Sequence, residues 1–229
     1  FTVLDGQDGR MDANSFYSGP VAPSTAARMR VYARDAPELA LKAIAGLPRL
    51  GAITHLVVAS CTGFMAPGLD QVIASRLGLP SGVERIAIGF MGCYAGITAL
   101  RTAARLVRSQ PSARVLVVTV ELCSLHLQDS ADLEALLAMR QFADGAAAVI
   151  VTGTGAGLAL GDAISETLLD SSALITWTIG DSGFAMHLSG EVPARIAALS
   201  IVVESEKAVH APTGVVSAAP LVAKRPGLR

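Results

Sequence analysis

Charge is scarce in this chain. Asp, Glu, Lys and Arg make up 16% of its 229 residues, and the formal net charge is −1. No basic run occurs and no basic residues interleave with aromatics, which excludes nucleic acid as the main partner. Aromatic residues are 4% of the chain. Cysteine occurs three times, at 61, 93 and 123. An odd number at wide spacing excludes a disulfide framework and points to a reducing compartment, the cytoplasm. Cys123 and His126 lie close together, but two ligands without further Cys or His partners do not make a zinc site. The longest apolar tract, 145–161, is broken by glycine and threonine and is shorter than the ~20 residues of a membrane span. No basic segment followed by an apolar stretch opens the sequence, so no signal peptide is read there. Gly153-Thr154-Gly155-Ala156-Gly157 misplaces the third glycine of a dinucleotide loop and lacks the Lys and Ser/Thr of a phosphate loop, which leaves a strand-end turn. Asparagine occurs once, at Asn14.

What the chain has is apolar bulk. Hydrophobic residues are 52%, enough for a sizeable core and an oligomer interface. Ser24 is placed to cap a helix to about Arg34, and Asp35-Ala36-Pro37-Glu38 reads as the opening of another that ends near Gly46. A strand over 54–60 leads into the loop 61–68, and a helix over 69–77 stops at Gly78. Strand 85–90, helix 93–108 and strand 113–121 form a βαβ pattern, which implies parallel strands. A helix over about 130–140 precedes a strand over 145–152. Alternating elements of this kind predict an α/β layered fold.

Cys93 stands at the junction of strand 85–90 and the following helix, whose apolar stripe reads Ile97, Leu100, Ala104 and Val107. At a helix N-terminus the macrodipole and the unpaired N–H groups favour a thiolate. A thiolate is the reactive form, so this position suits a covalent nucleophile, and the flanking glycines permit a tight turn and close substrate approach. A buried structural thiol is the other reading of any free cysteine.

The stretch Ile53 to Val151 resembles the type III polyketide synthases, the chalcone-synthase-like family, in its bacterial form. Five segments carry the resemblance in order. They are Thr54-His55-Leu56-Val57-Val58, the loop Cys61-Thr62-Gly63-Phe64-Met65-Ala66-Pro67-Gly68-Leu69-Asp70, Gly92-Cys93-Tyr94-Ala95-Gly96, the run 113–126 ending Glu121-Leu122-Cys123-Ser124-Leu125-His126, and Phe142-Ala143-Asp144-Gly145-Ala146-Ala147-Ala148. A weaker match continues through Trp177 to Pro193.

The resemblance implies a thiolase-like αβαβα fold. Residues 1–152 would form the half that carries the nucleophile, and 153–229 part of a second half. The chain reads as incomplete at both ends relative to the family. The activity implied is decarboxylative condensation of malonyl-CoA onto an acyl-CoA starter through a cysteine thioester, with coenzyme A thioesters as substrates, no cofactor and no metal. Cys93 takes the nucleophile's place, and His210, in a faint likeness of the family's histidine motif, is the candidate second catalytic residue. A surface-loop histidine is its alternative reading. His187 falls at a family position facing the pocket region, with a structural role as its alternative. Phe142 matches the family's gate between coenzyme A tunnel and pocket. Cys61, Thr62, Ala66, Cys123 and Ala138 fall at pocket-lining positions. Their small size suggests a roomy, apolar cavity suited to long acyl chains and alkylpyrone or alkylresorcinol products. Glu121 ends a strand beside this wall and needs partners if buried. Two other readings remain: a β-ketoacyl carrier-protein synthase of the same fold, and an inactive truncated homologue serving as a dimerisation or binding module.

Overall fold

A computed structural model describes residues 16–155, 157–163 and 165–197, together with a strand at 215–218. Helix α1 runs from Thr25 to Ala45, started by Ser24, whose hydroxyl accepts the Ala27 amide at 3.2 Å. The sequence suggested a break at Pro37, but the helix passes through it. Proline removes one i→i−4 hydrogen bond from a helix interior. Here the buried stripe Tyr32, Ala36, Leu39, Ala40, Ala43 and Ile44 continues on both sides of the proline. Each large apolar side chain in such a stripe contributes about 1.5–3 kcal/mol of burial, which outweighs the lost bond.

The remaining elements are β1 (His55–Ser60), α2 (Leu69–Arg76), β2 (Glu84–Gly89), α3 (Ala95–Ser109), β3 (Arg114–Glu121), a 3₁₀ turn (Cys123–His126), α4 (Leu133–Gln141), β4 (Gly145–Thr152), β5 (Leu158–Ala159), β6 (Ile175–Gly180), β7 (Gly183–Leu188), α5 (Val192–Ala197) and β8 (Val215–Ala218). Six strands form one sheet in the order β2-β1-β3-β4-β8-β5, and β6 and β7 form a separate antiparallel pair. β1 is parallel to both β2 and β3, with Val57 opposite Ile86 on one side and Val117 on the other. The strands of the predicted βαβ unit are therefore parallel, and β1 lies between them. β4 runs antiparallel to β3 over its full length, from Arg114↔Thr152 to Glu121↔Gly145.

All six residues of β1 are buried, as a strand covered on both faces requires. One face carries α1 and α2 over Leu56, Val58, Leu116, Val118 and Ile150. The other carries α3 over Val57, Ala59, Val115, Val117 and Val151. The buried line of α3 is Ala95, Ala99, Ala103, Ala104 and Val107, while Ile97 of the expected stripe is 60% exposed. The i, i+4 repeat of alanines, rather than the larger residues, faces the sheet, because a methyl group lets the helix backbone approach closely. The result is the α/β layered architecture expected from the alternating pattern.

Candidate active site

Three neighbouring parallel strands, β2, β1 and β3, end at the same edge of the sheet, and a cysteine follows each. Cys61 comes directly after β1, Cys93 lies in the connection from β2 to α3, and Cys123 opens the 3₁₀ turn after β3. In open α/β sheets this carboxyl edge is where ligands bind.

The Cys93 connection is a tight reversal. Phe90 has φ +54° and Gly92 has φ +94°, and the Ala95 amide donates to the Gly92 carbonyl at 3.0 Å. A non-glycine residue at positive φ is strained, and such strain persists only where packing holds it. The Phe90 ring provides that hold, lying 5.6 Å from Phe64 and 5.9 Å from Phe184. Helix α3 starts at Ala95, so Cys93 precedes the cap residue Tyr94 rather than beginning the helix itself. Cys93 is exposed at the positive end of the helix dipole, and no side chain caps the helix's first amides.

The wall beside it is built around Glu121. Its carboxylate accepts the Cys61 amide at 2.9 and 3.0 Å and the Thr62 hydroxyl at 2.7 Å. The Thr62 oxygen in turn accepts the Leu122 amide at 2.8 Å. Burial pushes the Glu121 carboxyl above the ordinary range, and the hydrogen bonds from Thr62 and Cys61 oppose that rise. The Cys61 carbonyl accepts the Trp177 indole N–H at 2.9 Å, and its thiol donates to the Gly92 carbonyl at 3.7 Å. Burial raises the Cys61 thiol as well. Cys123 is pushed up to about 12, first by burial and then by the charges of Glu121, Asp144 and Cys93. Asp144 fixes the 3₁₀ turn that carries Cys123, accepting the Ser124 amide at 2.8 Å and its hydroxyl at 2.6 Å.

His126 latches the β6–β7 pair to this wall. Nδ1 accepts the Phe184 amide at 3.0 Å, so the proton sits on Nε2, which donates to the Thr62 carbonyl at 2.7 Å. The ring stacks on Phe184 at 4.1 Å and meets Trp177 edge-on. Burial depresses its pKa to about 4, against the pull of the Thr62 bond. Arg28, fully buried, donates to the carbonyls of Pro23, Leu125 and Leu127 and to the Tyr17 hydroxyl, tying α1 to the same turn. Burial lowers its pKa.

Of the residues singled out from sequence, Cys61, Thr62, Cys93 and Cys123 come together at the sheet edge. Ala138 is buried on α4, and Phe142 is half-buried at that helix's end. Ala138 lines a groove of ≈ 570 Å³ between α4 and the β7–α5 segment, with Leu133, Leu137, Leu188, Val192 and Pro193. Ala66 is exposed in the loop after β1. His187 is exposed on β7 opposite Thr176, and His55 is buried beside Thr54 and Glu84. His210 lies outside the described residues. Among the described residues, no group of three or more His, Cys, Asp or Glu is arranged to hold a metal, and no helix is long and apolar enough to cross a membrane. Sequence reasoning passed over His126, Trp177 and Phe184 as latch residues. The one signal available was that tryptophan occurs once, inside the weaker stretch of the family match.

The model of the N-terminal domain of chalcone and stilbene synthases matches residues 19–156, more than half of the chain. The chain belongs to the chalcone and stilbene synthase family. Within this family, the alpha-pyrone synthesis polyketide synthase-like Pks18 of Mycobacterium tuberculosis is 33% identical over 181 residues, covering 74% of this chain and 46% of that protein. The chain thus spans about half the length of the curated relatives it matches. The type III polyketide synthase 1,3,6,8-tetrahydroxynaphthalene synthase of Streptomyces coelicolor superposes with a TM-score of 0.71 at 29% identity, over 79% of this chain and 54% of that one. The C-terminal type III polyketide synthase domain of Steely1 from Dictyostelium gives 0.69 at 28% identity, over 76% and 51%. The fold is accordingly that of the type III polyketide synthases, a thiolase-like one, and the Mycobacterium and Streptomyces proteins among these relatives are of the bacterial form expected from the motifs.

Proposed function

We propose that this chain is the nucleophile-bearing part of a type III polyketide synthase that condenses malonyl-CoA onto an acyl-CoA starter. The observation that carries this reading is the placement of Cys93 on an exposed, strained turn at the positive end of α3, with a wall of small pocket residues beside it. In the first step the Cys93 sulfur attacks the starter's thioester carbonyl and the coenzyme A thiolate leaves. The positive end of the α3 dipole lies just beyond this sulfur, on the side that favours the negative charge of the tetrahedral oxyanion. In the second step malonyl-CoA loses carbon dioxide. Its enolate carbon then attacks the Cys93 thioester and releases the thiolate. Phe142 is the proposed gate and His210 the proposed donor for the second step. No cofactor or metal takes part in this scheme.

Long-chain starters with pyrone-type products fit best. Cys61, Thr62, Cys123 and Ala138 are small side chains, and Leu133, Leu137, Leu188, Val192 and Pro193 line the groove beside Ala138. The working form proposed is a homodimer in the cytoplasm. β2 is an edge strand, and Phe64, Phe90, Met91, Tyr94 and Ile97 around it are exposed, an apolar surface that a second copy would cover. Three free thiols suit a reducing compartment.

The test is acyl loading. Wild-type protein and Cys93→Ala are incubated with a panel of short and long acyl-CoA thioesters, and then with labelled malonyl-CoA. A starter adduct on Cys93, greatest for long chains, and pyrone products absent from Cys93→Ala are the expected results. Folded protein that takes no acyl group on Cys93 refutes the synthase reading and leaves a binding module of the same fold.

A further inference from the structure

The three cysteines occupy one sheet edge, and the scheme above uses one of them as a reacting group. Cys61 and Cys93 follow adjacent parallel strands whose last ladder pair is Ser60↔Gly89. The Cys61 sulfur lies 3.7 Å from the carbonyl oxygen of Gly92, the residue covalently joined to Cys93. Residue 61 is held from both sides of its backbone, by Glu121 at its amide and by Trp177 at its carbonyl. Its backbone is therefore fixed, with the sulfur directed at the Gly92 carbonyl, whereas Cys93 is exposed on its turn.

We propose that Cys61 is a resolving thiol for oxidised Cys93, so that the nucleophile is stored under oxidising conditions as a reversible Cys61–Cys93 disulfide. In the first step the Cys93 thiolate attacks one oxygen of hydrogen peroxide. An S–O bond forms, the O–O bond breaks, and hydroxide leaves as water, giving the sulfenic acid. The Cys61 thiolate then attacks the Cys93 sulfur. The S–S bond forms, the S–O bond breaks, and the departing hydroxide takes the proton lost by Cys61. Two thiols are oxidised, one peroxide is reduced and two waters form. Cys123 is the competing partner, since the Cys93 charge reaches it, and burial raises both thiols. Geometry makes the choice: the Cys61 sulfur touches the Gly92 carbonyl, whereas the turn that carries Cys123 is tied to Asp144. The consequence is protection: a bridged Cys93 does not advance to the irreversible sulfinic acid.

The experiment treats the wild-type chain and each variant with one equivalent of hydrogen peroxide and then with an excess, without reductant, and follows intact mass and non-reducing tryptic peptides. Arg76, Arg85, Arg101 and Arg114 place the three cysteines on separate peptides. A loss of about 2 Da, a peptide pair joining Cys61 to Cys93, and recovery with dithiothreitol are expected. Cys123→Ser keeps the bridge. Cys61→Ser loses it and gains about 32 Da on Cys93 faster than wild type. A Cys93–Cys123 bridge, or sulfinic acid forming on wild-type Cys93 as fast as in Cys61→Ser, overturns the proposal. Because the readout is mass and not condensation, the outcome is independent of whether the chain makes a polyketide.

Discussion

Replacing Gly63 by alanine tests how tightly the loop after β1 is seated. A Cβ at this position would lie 2.2, 2.4 and 2.5 Å from three ring atoms of Tyr32. Ordinary carbon contacts sit at about 3.5–4.0 Å, so loop and ring must separate by more than about 1 Å. The ring has nowhere to go: Tyr32 is fully buried in α1, and its hydroxyl donates to Ser60 at 2.7 Å. Overpacking of this kind costs about 3 kcal/mol, at the upper end of the usual range, and lowers the melting temperature by roughly 8 °C. Urea unfolding of wild type, Gly63→Ala, Tyr32→Ala and the double variant gives the coupling directly. Tyr32→Ala alone costs about 3–5 kcal/mol through the void it leaves. Adding the Gly63 methyl to that void should cost less than about 1 kcal/mol, a coupling of about 2 kcal/mol or more. A Gly63→Ala chain within about 0.5 kcal/mol of wild type, or strict additivity of the two changes, refutes the argument.

Three further outcomes follow from the wall residues. His126 is held neutral with a pKa near about 4, below its unfolded value of 6.5. Its contribution is therefore complete above pH 6.5 and is lost as the pH falls through about 4, up to about 3 kcal/mol. Urea titrations at stepped pH should show this slope in wild type and not in His126→Gln; equal slopes contradict the latch. Glu121 is shifted the opposite way: its folded pKa is raised, so its contribution is most favourable below the ordinary carboxylate range and declines as the pH rises through the raised value. Glu121→Gln should remove that decline, seen as a flatter stability profile just above the ordinary carboxylate range. Asp144→Asn weakens the two bonds to Ser124 by about 1–3 kcal/mol and removes one of the charges that raise Cys123. Alkylation of Cys123 at mildly alkaline pH should accelerate, and an unchanged rate in a folded variant counts against the assignment.

Elements of strong local signal were legible in the sequence. The strands at 54–60 and 145–152, and the turn before α3, follow from alternation, β-branched residues and glycine placement. Two local readings gave way to tertiary packing. Pro37 suggested a helix boundary, yet an apolar face shared by both halves of α1 keeps the helix whole. Ile97 looked like core, yet the sheet selects the alanine line of α3. The antiparallel direction of β4 was not readable, because direction depends on the path of the intervening connection and not on the strand's own residues. At the site, the motif brought Cys61, Thr62, Cys93 and Cys123 to attention. The groups that hold them did not stand out: Arg28, His126 and Trp177 act over sequence separations of 58 to 116 residues, through bonds to backbone atoms that any residue type presents.

The placement of the three cysteines separates what the sheet needs from what the pocket needs. Positions 61, 93 and 123 lie one, four and two residues beyond the last ladder partners of their strands, Ser60, Gly89 and Glu121. Their side chains can be exchanged without breaking a single rung of β2, β1 or β3. Side-chain volume and thiol reactivity at the strand ends are thus adjustable while the register of β2, β1 and β3 beneath them stays constant, so chemistry at this edge and strand pairing answer to different residues.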